Sequence, residues 1–313
     1  MVALLAVVVV MRLVAWDDVE PFAVLNAFTV FVYLPAWIVL LVAMLGRRYI
    51  LAAAALLIVV AQVVFLAPEL TAAGPVPAWT THAATLQLLD ANTDQTNTSL
   101  EGYVREIEQV RPRLVTMEET NRVVSAELNE AGVLEDLPYQ INIMRHDSGG
   151  FFVASRYPLT HTRIVYSYGR PLIVQTTVEL PSGPQPLWVV HTIAPLPSSF
   201  SQWQDDLAFI GRLLRTRGTT DLLVAGDFNA TWGNRGFRAI LDTGLTDGAA
   251  ARGKPFDMTW NQFDHPLPPL ARIDHVLTGP GVAVTRIRTD NGPGSDHRDL
   301  IATVAVHGPT GGQ

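Results

Sequence analysis

Three apolar runs in the first 66 residues constrain this chain more than any other feature of its sequence. Residues 22–45 exceed the roughly 20 apolar residues that cross a bilayer as a helix. Residues 50–66 fall at the short end of the spanning range of about 17–25 residues. Residues 1–14 are shorter still, so whether they span is left open. The pattern predicts that residues 1–69 are a membrane anchor of two or three transmembrane helices, with a buried soluble hairpin as the alternative.

The charges around these runs predict how the anchor is oriented. Arg47 and Arg48 lie in the short loop between the second and third runs, whereas three acidic residues precede the second run. By the positive-inside rule the arginines stay in the cytoplasm, and the third run carries the rest of the chain outward. Residues 70–80 have the alanine, glycine and proline content of a linker. We therefore expect a multi-pass protein of the cell membrane with an extracytoplasmic domain at residues 81–313.

The composition of the chain excludes some classes of site. It contains no cysteine, which rules out disulfides, thiol catalysis and thiolate metal ligands. Its formal net charge is -7, so it lacks the basic surface expected of a tight, non-specific DNA binder. An acidic domain instead suits the binding of cations.

The remaining sequence predicts more strands than helices. Short apolar or alternating runs predict strands at 84–89, 113–117, 151–154, 172–178, 187–190, 221–225 and 273–277. Helical spacing predicts helices at 98–110, capped by Thr98 or Ser99, and at 119–130, 200–216 and 236–242. Strands and helices do not alternate regularly. Packed sheets flanked by helices are therefore favoured over a doubly wound fold.

The stretch DLLVAGDFNAT places an acid and an amide directly after an apolar strand. Side chains two residues apart on an extended chain point to the same side. Asp227 and Asn229 are therefore predicted to aim together, with Phe228 pointing the other way. Two oxygen ligands aimed together indicate a hard metal ion. The alternative is an Asx turn that closes the strand.

Other predicted strands also end in side chains that bind metals or transfer protons. These residues are Asn92, Glu118, Glu119, His191, Asp274, Asp296 and His297. Carboxylates, amides and imidazoles gathered at one end of a sheet make a hard-cation site with general acid and base groups. Because oxygen ligands prevail and cysteine is absent, Mg²⁺ or Mn²⁺ is favoured over Zn²⁺.

The order of these motifs resembles the endonuclease/exonuclease/phosphatase superfamily over about residues 84–305. Five blocks carry the resemblance: DANTDQTN (90–97), RPRLVTMEET (111–120), FVASRYPL (152–159), VVHT with VAGDFNA (189–192 and 224–230), and RIDHVL with GSDHRDL (272–277 and 294–300). The resemblance implies an α/β four-layer sandwich of two packed β-sheets flanked by helices, here preceded by transmembrane helices. It also implies metal-dependent hydrolysis of phosphoric esters by in-line attack of water.

The resemblance also implies a role for each residue. The metal ligands would be Asn92, Glu119 and Asp296. Asp227 would activate the attacking water, and Asn229 would bind a phosphoryl oxygen. His191 and His297 would act at the scissile phosphate, and Asp274 would orient His297. Glu118 stands where the superfamily usually has glutamine. Asp94, Asn97 and Arg156 are weaker candidates for contacts around the site.

The substrate is less constrained than the chemistry. Apolar spans followed by a hydrolase domain resemble membrane-anchored bacterial members linked to glycopeptide resistance, which implies a lipid-linked pyrophosphate. We predict a membrane-anchored phosphohydrolase that acts on a lipid-linked or other extracytoplasmic phosphate ester. One alternative is an extracellular endonuclease or exonuclease, which would need a basic groove, whereas the basic residues are scattered, such as Arg212, Arg215 and Arg217 near one predicted helix. The other is a non-catalytic, membrane-tethered binding domain.

The predicted orientation is testable with reporter fusions after Gln313. A reporter enzyme that is active only outside the cytoplasm should be active, because an outward third run would export the whole domain. A reporter that is active only in the cytoplasm should be silent, and activity of this second reporter would overturn the orientation.

Overall fold

The structure is a computed structural model that describes residues 1–97, 101–144, 149–261 and 268–307. The helices are α1 (Val2–Val14), α2 (Glu20–Ala27), α3 (Thr29–Val32), α4 (Leu34–Leu45), α5 (Tyr49–Leu70), a 3₁₀ helix (Ala78–His82), α6 (Glu101–Val110), α7 (Arg122–Glu130), α8 (Phe200–Arg217), α9 (Arg235–Leu241) and α10 (Gly248–Ala251). The strands are β1 (Ala84–Asn92), β2 (Leu114–Thr120), β3 (Tyr139–Ile143), β4 (Gly150–Ser155), β5 (Leu159–Ser167), β6 (Arg170–Leu180), β7 (Gly183–His191), β8 (Leu223–Asp227), β9 (Thr246–Asp247), β10 (Asp274–Thr278), β11 (Val282–Asn291) and β12 (Arg298–Val306).

The strands form two six-stranded mixed sheets. The first has the order β11-β12-β1-β2-β4-β3 and the second β5-β6-β7-β8-β10-β9. At the centre of each sheet two strands run parallel, β1 with β2 and β7 with β8, so their carboxyl ends meet at one edge. The polar residues that end these strands are thereby brought to the same end of the sandwich.

Apolar side chains fill three layers between the sheets and helices. Leu88, Leu114, Val189 and Ala225 belong to the core between the two sheets. A second core joins the second sheet to α8 and α9, and a third joins the first sheet to α6 and α7. The fold is therefore the predicted four-layer sandwich of two packed sheets flanked by helices.

The predicted elements are found, with shifted ends. The helix predicted at 119–130 begins at Arg122, because Glu119 and Thr120 still belong to β2. Asn121 caps it by accepting from the N–H groups of Val123 and Val124. Of the helix predicted at 98–110, the described part is α6; residues 98–100, with the proposed caps, lie outside the described residues. The sequence pattern does not predict strands β3, β5, β9, β11 and β12.

The N-terminal helices differ from the prediction of simple spans. Among the described residues α5 is the one helix long and apolar enough to cross a membrane. The run at 22–45 is broken, with an 83° bend between Glu20–Ala27 and Thr29–Leu45, and is a second candidate only if both parts count as one span. The prediction of one continuous helix there is wrong. The bend lies at Phe28, between α2 and α3, and Pro35 stands further along, in the first turn of α4. Helix α1 is shorter than a span.

Candidate active site

A turn brings Asp227 and Asn229 together. Strand β8 ends at Asp227, and Asn229 adopts the left-handed conformation with φ +47°. The Asn229 N–H donates to Asp227 Oδ1 (2.6 Å) and its Nδ2 donates to Asp227 Oδ2 (3.1 Å). Phe228 is buried on the other side, against Phe237 and His275. The predicted pairing is confirmed, but its explanation by an extended chain is wrong. An Asx turn makes the pairing.

A β-bulge aims Glu119 at the same place. The pairing of β2 with β4 shifts register between Glu118 and Thr120, and Glu119 has φ +50°. The extra residue in a bulge redirects its side chain, which otherwise would follow the alternation of the strand. Gly149 permits this geometry, because a Cβ there would lie 2.6 Å from Glu119 Cα. Glu118 remains fully buried within the sandwich.

Four side chains from both sheets form one half of the site. Asn92 Nδ2 donates to Asp227 Oδ2 (3.0 Å) and to Glu119 Oε1 (3.2 Å). His191 Nε2 lies 3.3 Å from Glu119 Oε1 and 3.9 Å from Asp227 Oδ2. Asn92 Oδ1 accepts from the N–H of Asp94 (3.1 Å), which holds the amide in place.

His297 is the centre of the other half. Its Nδ1 lies 2.9 Å from Asp274 Oδ2, so Nδ1–H donates to the carboxylate and Nε2 faces the site. Asp296 Oδ1 is 3.7 Å from that Nε2, and Asp296 Oδ2 accepts from Trp260 Nε1 (3.0 Å). The Ser295 hydroxyl accepts from the backbone N–H of His297 (3.0 Å). The predicted pairing of His297 with Asp274 is confirmed.

The two halves join at Asp227. Ligand atoms of Glu119, His191 and Asp227 all lie within 4.8 Å of one another, and so do those of Asp227, Asp274 and His297. Carboxylate and imidazole donors in such groups fit a divalent cation. Asn92 and Asp296, the other predicted ligands, border these groups.

Burial and neighbouring charges give the carboxyl groups of Glu119 and Asp227 very different pKa values. Burial opposes ionisation of Glu119, but the hydrogen bond and charge of His191 and the bond from Asn92 lower its pKa to about 2. Burial and the charge of Asp274 raise the pKa of Asp227 to about 7, although both site histidines oppose the rise. Asp227 can therefore take up or release a proton near neutral pH.

The two imidazoles are held toward their charged forms. Burial alone would lower the pKa of His297, but the charge and hydrogen bond of Asp274, with the charges of Asp227 and Asp296, raise it to about 10. Burial likewise opposes the charged form of His191, and the hydrogen bond and charge of Glu119 raise its pKa. At neutral pH His297 is a cationic proton donor, suited to stabilise a phosphoryl oxygen.

The substitution of glutamic acid for glutamine at Glu118 has a physical explanation. Within the part of the chain that the structure describes, its carboxyl oxygens have no hydrogen-bond partner. Burial, followed by the charges of Asp90, Asp274 and Asp227, raises the pKa of Glu118 well above its ordinary value. These surroundings favour the neutral acid form of Glu118, which is close in shape and charge to the glutamine expected there.

The weaker candidates separate into two groups. Asp94 and Asn97 lie beside the site, where Asn97 Nδ2 donates to the carbonyl of Pro293 (2.7 Å). Arg156 does not: it follows Ser155, which pairs with Leu114 at the opposite end of β2 from Glu119. Sequence reasoning also missed Trp260 and Ser295, and only Ser295 carried a signal, since it belongs to the GSDH block.

Comparisons with known proteins agree with this geometry. The sequence profile of the Endonuclease/Exonuclease/phosphatase family matches residues 78–297. No curated protein sequence matches the chain. Similar solved structures include an endonuclease/exonuclease/phosphatase from Beutenbergia cavernae (16% identity, 71% of this chain and 72% of that chain, TM-score 0.55). Another is a 3′ phosphatase from Neisseria bound to a product DNA hairpin (16% identity, 69% of this chain and 98% of that chain, TM-score 0.55). A third is an AP endonuclease from Archaeoglobus fulgidus (14% identity, 69% of this chain and 98% of that chain, TM-score 0.56). At these identities the similarity shows the fold.

The His297–Asp274 pair predicts a pH dependence for the metal-free protein. NMR titration should give His297 a pKa of about 10, and in Asp274→Asn it should fall toward the ordinary value of about 6.5. Because the folded pKa exceeds the unfolded one, the stabilisation is fully present below about pH 6.5 and is lost as the pH rises through about 10. An unchanged pKa in Asp274→Asn would contradict the assignment.

The group formed by Glu119, His191 and Asp227 predicts that a change at Glu119 lowers the affinity for a metal ion. Glu119→Gln should weaken Mg²⁺ binding by at least about tenfold, because it removes a charged oxygen ligand and the partner of His191. Calorimetric titration of the full chain in detergent measures the change. Asp221→Asn, at an exposed ion pair with Arg217, is the matched control and should leave the affinity unchanged.

Proposed function

Because the chain belongs to the endonuclease/exonuclease/phosphatase family and is a metal-dependent hydrolase of phosphoric ester bonds, we propose that its substrate is a lipid-linked phosphate ester. We place this reaction at the extracytoplasmic face of the cell membrane. Both statements go beyond the family, whose members include nucleases and phosphatases.

One observation carries the proposal: the apolar helix α5 ends at an ion pair that lies close in sequence to a catalytic residue. Its Glu69 forms a buried ion pair with Arg272. Arg272 lies two residues before Asp274, the partner of His297. If α5 crosses the bilayer, the catalytic groups lie close to the membrane surface, where the phosphate of a lipid-linked substrate would also lie.

The distribution of charge supports this choice over nucleic acid. The chain has a net charge of -7. Arg212 and Arg215 of α8 line a groove with Asp17 and Arg235, and the residues that line this groove do not include the catalytic ones. A nuclease needs basic groups that follow the phosphate backbone to the scissile bond.

The chemistry assigns a distinct task to each side chain. Asp227, with a pKa of about 7, accepts the proton of the water that attacks phosphorus in line. His297, oriented by Asp274, donates to a phosphoryl or leaving oxygen through Nε2. A bound Mg²⁺ or Mn²⁺ would neutralise the charge on these oxygens. Asn229 already uses Nδ2 for Asp227 and for the carbonyl of Thr192 (3.0 Å), so a phosphoryl oxygen would replace one of these acceptors.

The nuclease remains the second candidate, because of the solved structures with this fold. The 3′ phosphatase from Neisseria is bound to a product DNA hairpin. The non-catalytic alternative has less support, since every predicted ligand is present and assembled in one place.

A three-substrate assay separates these readings. Full-chain protein in detergent with Mg²⁺ should release phosphate from a lipid pyrophosphate or cleave a phosphodiester lipid, and should leave plasmid DNA intact. His297→Ala should lower the turnover by about 10²–10⁴-fold, the usual contribution of a positioned acid or base. Nicking of plasmid DNA without turnover of either lipid would overturn the proposed substrate.

A further inference from the structure

A buried charge cluster joins the anchor to the catalytic sandwich. Arg272 Nη1 donates to Asp247 Oδ2 (2.6 Å), and Arg272 Nη2 donates to Glu69 of α5. The side chains of Arg272 and Asp247 are 3% and 0% exposed, and that of Glu69 is 12% exposed. Removal of Glu69 would leave Arg272 paired with Asp247, but its buried Nη2 would lose its carboxylate acceptor.

The cluster continues to the backbone beside the catalytic pair. Asp247 Oδ2 also accepts from Trp232 Nε1 (2.8 Å) and lies 3.0 Å from His275 Nδ1. The other ring nitrogen of His275 lies 3.0 Å from the carbonyl oxygen of Ala230, the residue after Asn229. Two segments thus depend on the cluster: residues 230–232, which follow the Asx turn, and residues 272–275, which contain Asp274.

The rest of the anchor holds the continuation of that loop. Trp16 Nε1 donates to the carbonyl of Gly233 (2.8 Å), and Asp17 Oδ2 accepts from the N–H of Arg235 (2.5 Å). Asn234 Nδ2 donates to the carbonyl of Ala23 (3.0 Å). The approach is so close that a Cβ at Gly233 would lie 1.7 Å from the backbone oxygen of Asn26. The backbone at 233–235 is therefore shaped by the N-terminal residues.

The segment predicted as a linker is also bound to the sandwich. The N–H of Gly74 donates to the carbonyl of Ala251 (3.2 Å), and Arg252 Nη2 donates to the carbonyl of Gly74 (3.0 Å). The contacts between the anchor and the catalytic part thus include the charge cluster, the loop at 233–235 and Gly74.

We propose that Glu69 and Arg272 are positioning residues, through which the anchor holds the catalytic groups in place. Glu69 fixes Arg272, and Arg272 with Asp247 fixes both the loop after Asn229 and the start of β10 at Asp274. Loss of this contact displaces the reacting groups without removing any of them. The proposal goes beyond the substrate proposed above, because it holds for any phosphate ester.

The test compares variants of the full chain in detergent with Mg²⁺ on bis(4-nitrophenyl) phosphate, a soluble phosphodiester. Glu69→Gln should lower kcat by about 10–10²-fold with little change in KM, the size expected when catalytic groups move by a fraction of an ångström to about an ångström. Glu69→Asp keeps the charge and should recover part of the loss. Asp18→Asn is the matched control, since it breaks the exposed Asp18–Arg235 pair across the same interface and should leave kcat unchanged.

Backbone hydrogen exchange provides a second measurement that needs no substrate. Glu69→Gln and Gly233→Ala should each speed exchange at residues 228–235 and 272–275, with smaller changes in β1 and β2. Unchanged exchange in these segments for Glu69→Gln, or a kcat equal to that of wild type, overturns the proposal. If wild-type protein turns over no lipid, the proposed substrate is wrong. The hydrogen-exchange result then still tests whether Glu69 and Arg272 position the catalytic groups.

Discussion

The amide of Asn92 reaches from one sheet to the other and donates to Asp227, and the catalytic geometry depends on this crossing. Beyond the buried side chains of Asp90 and Glu118 the core between the sheets is apolar, whereas the strand ends around Asn92 supply carboxylates and imidazoles. Charges gathered in such a buried place are tolerated only if each is paired. The bonds of Glu119 to His191 and of Asp274 to His297 meet that requirement, and they also set the proton affinities that catalysis uses.

Much of the site could be predicted from the sequence, because its physical cause is local. An apolar strand that ends in a polar side chain delivers that side chain to the edge of a sheet, whatever the rest of the fold does. Asn92, His191 and Asp227 follow this rule. The sequence predicts correctly that Asn229 lies beside Asp227, but a turn and not an extended strand directs its side chain there.

Other features depend on contacts that the sequence pattern does not contain. Strands β3 and β5 are partly exposed, so they lack the apolar alternation that marks an inner strand. The bulge at Glu119 is visible only once β2 pairs with β4. The docking of the N-terminal helices joins residues more than 200 positions apart, such as Trp16 with Gly233 and Glu69 with Arg272. Hydropathy alone predicted spans and a linker there, but not a bend or an interface.

The glycine beside the bulge has a consequence for how this sequence could diverge. Gly149 lies outside all five motif blocks, yet any side chain there would press on the Glu119 backbone. A descendant could therefore keep every motif and still lose its metal site through one substitution at this position. In a homologue, the residue aligned with Gly149 would then help to distinguish a working enzyme from a pseudoenzyme that has kept only the fold.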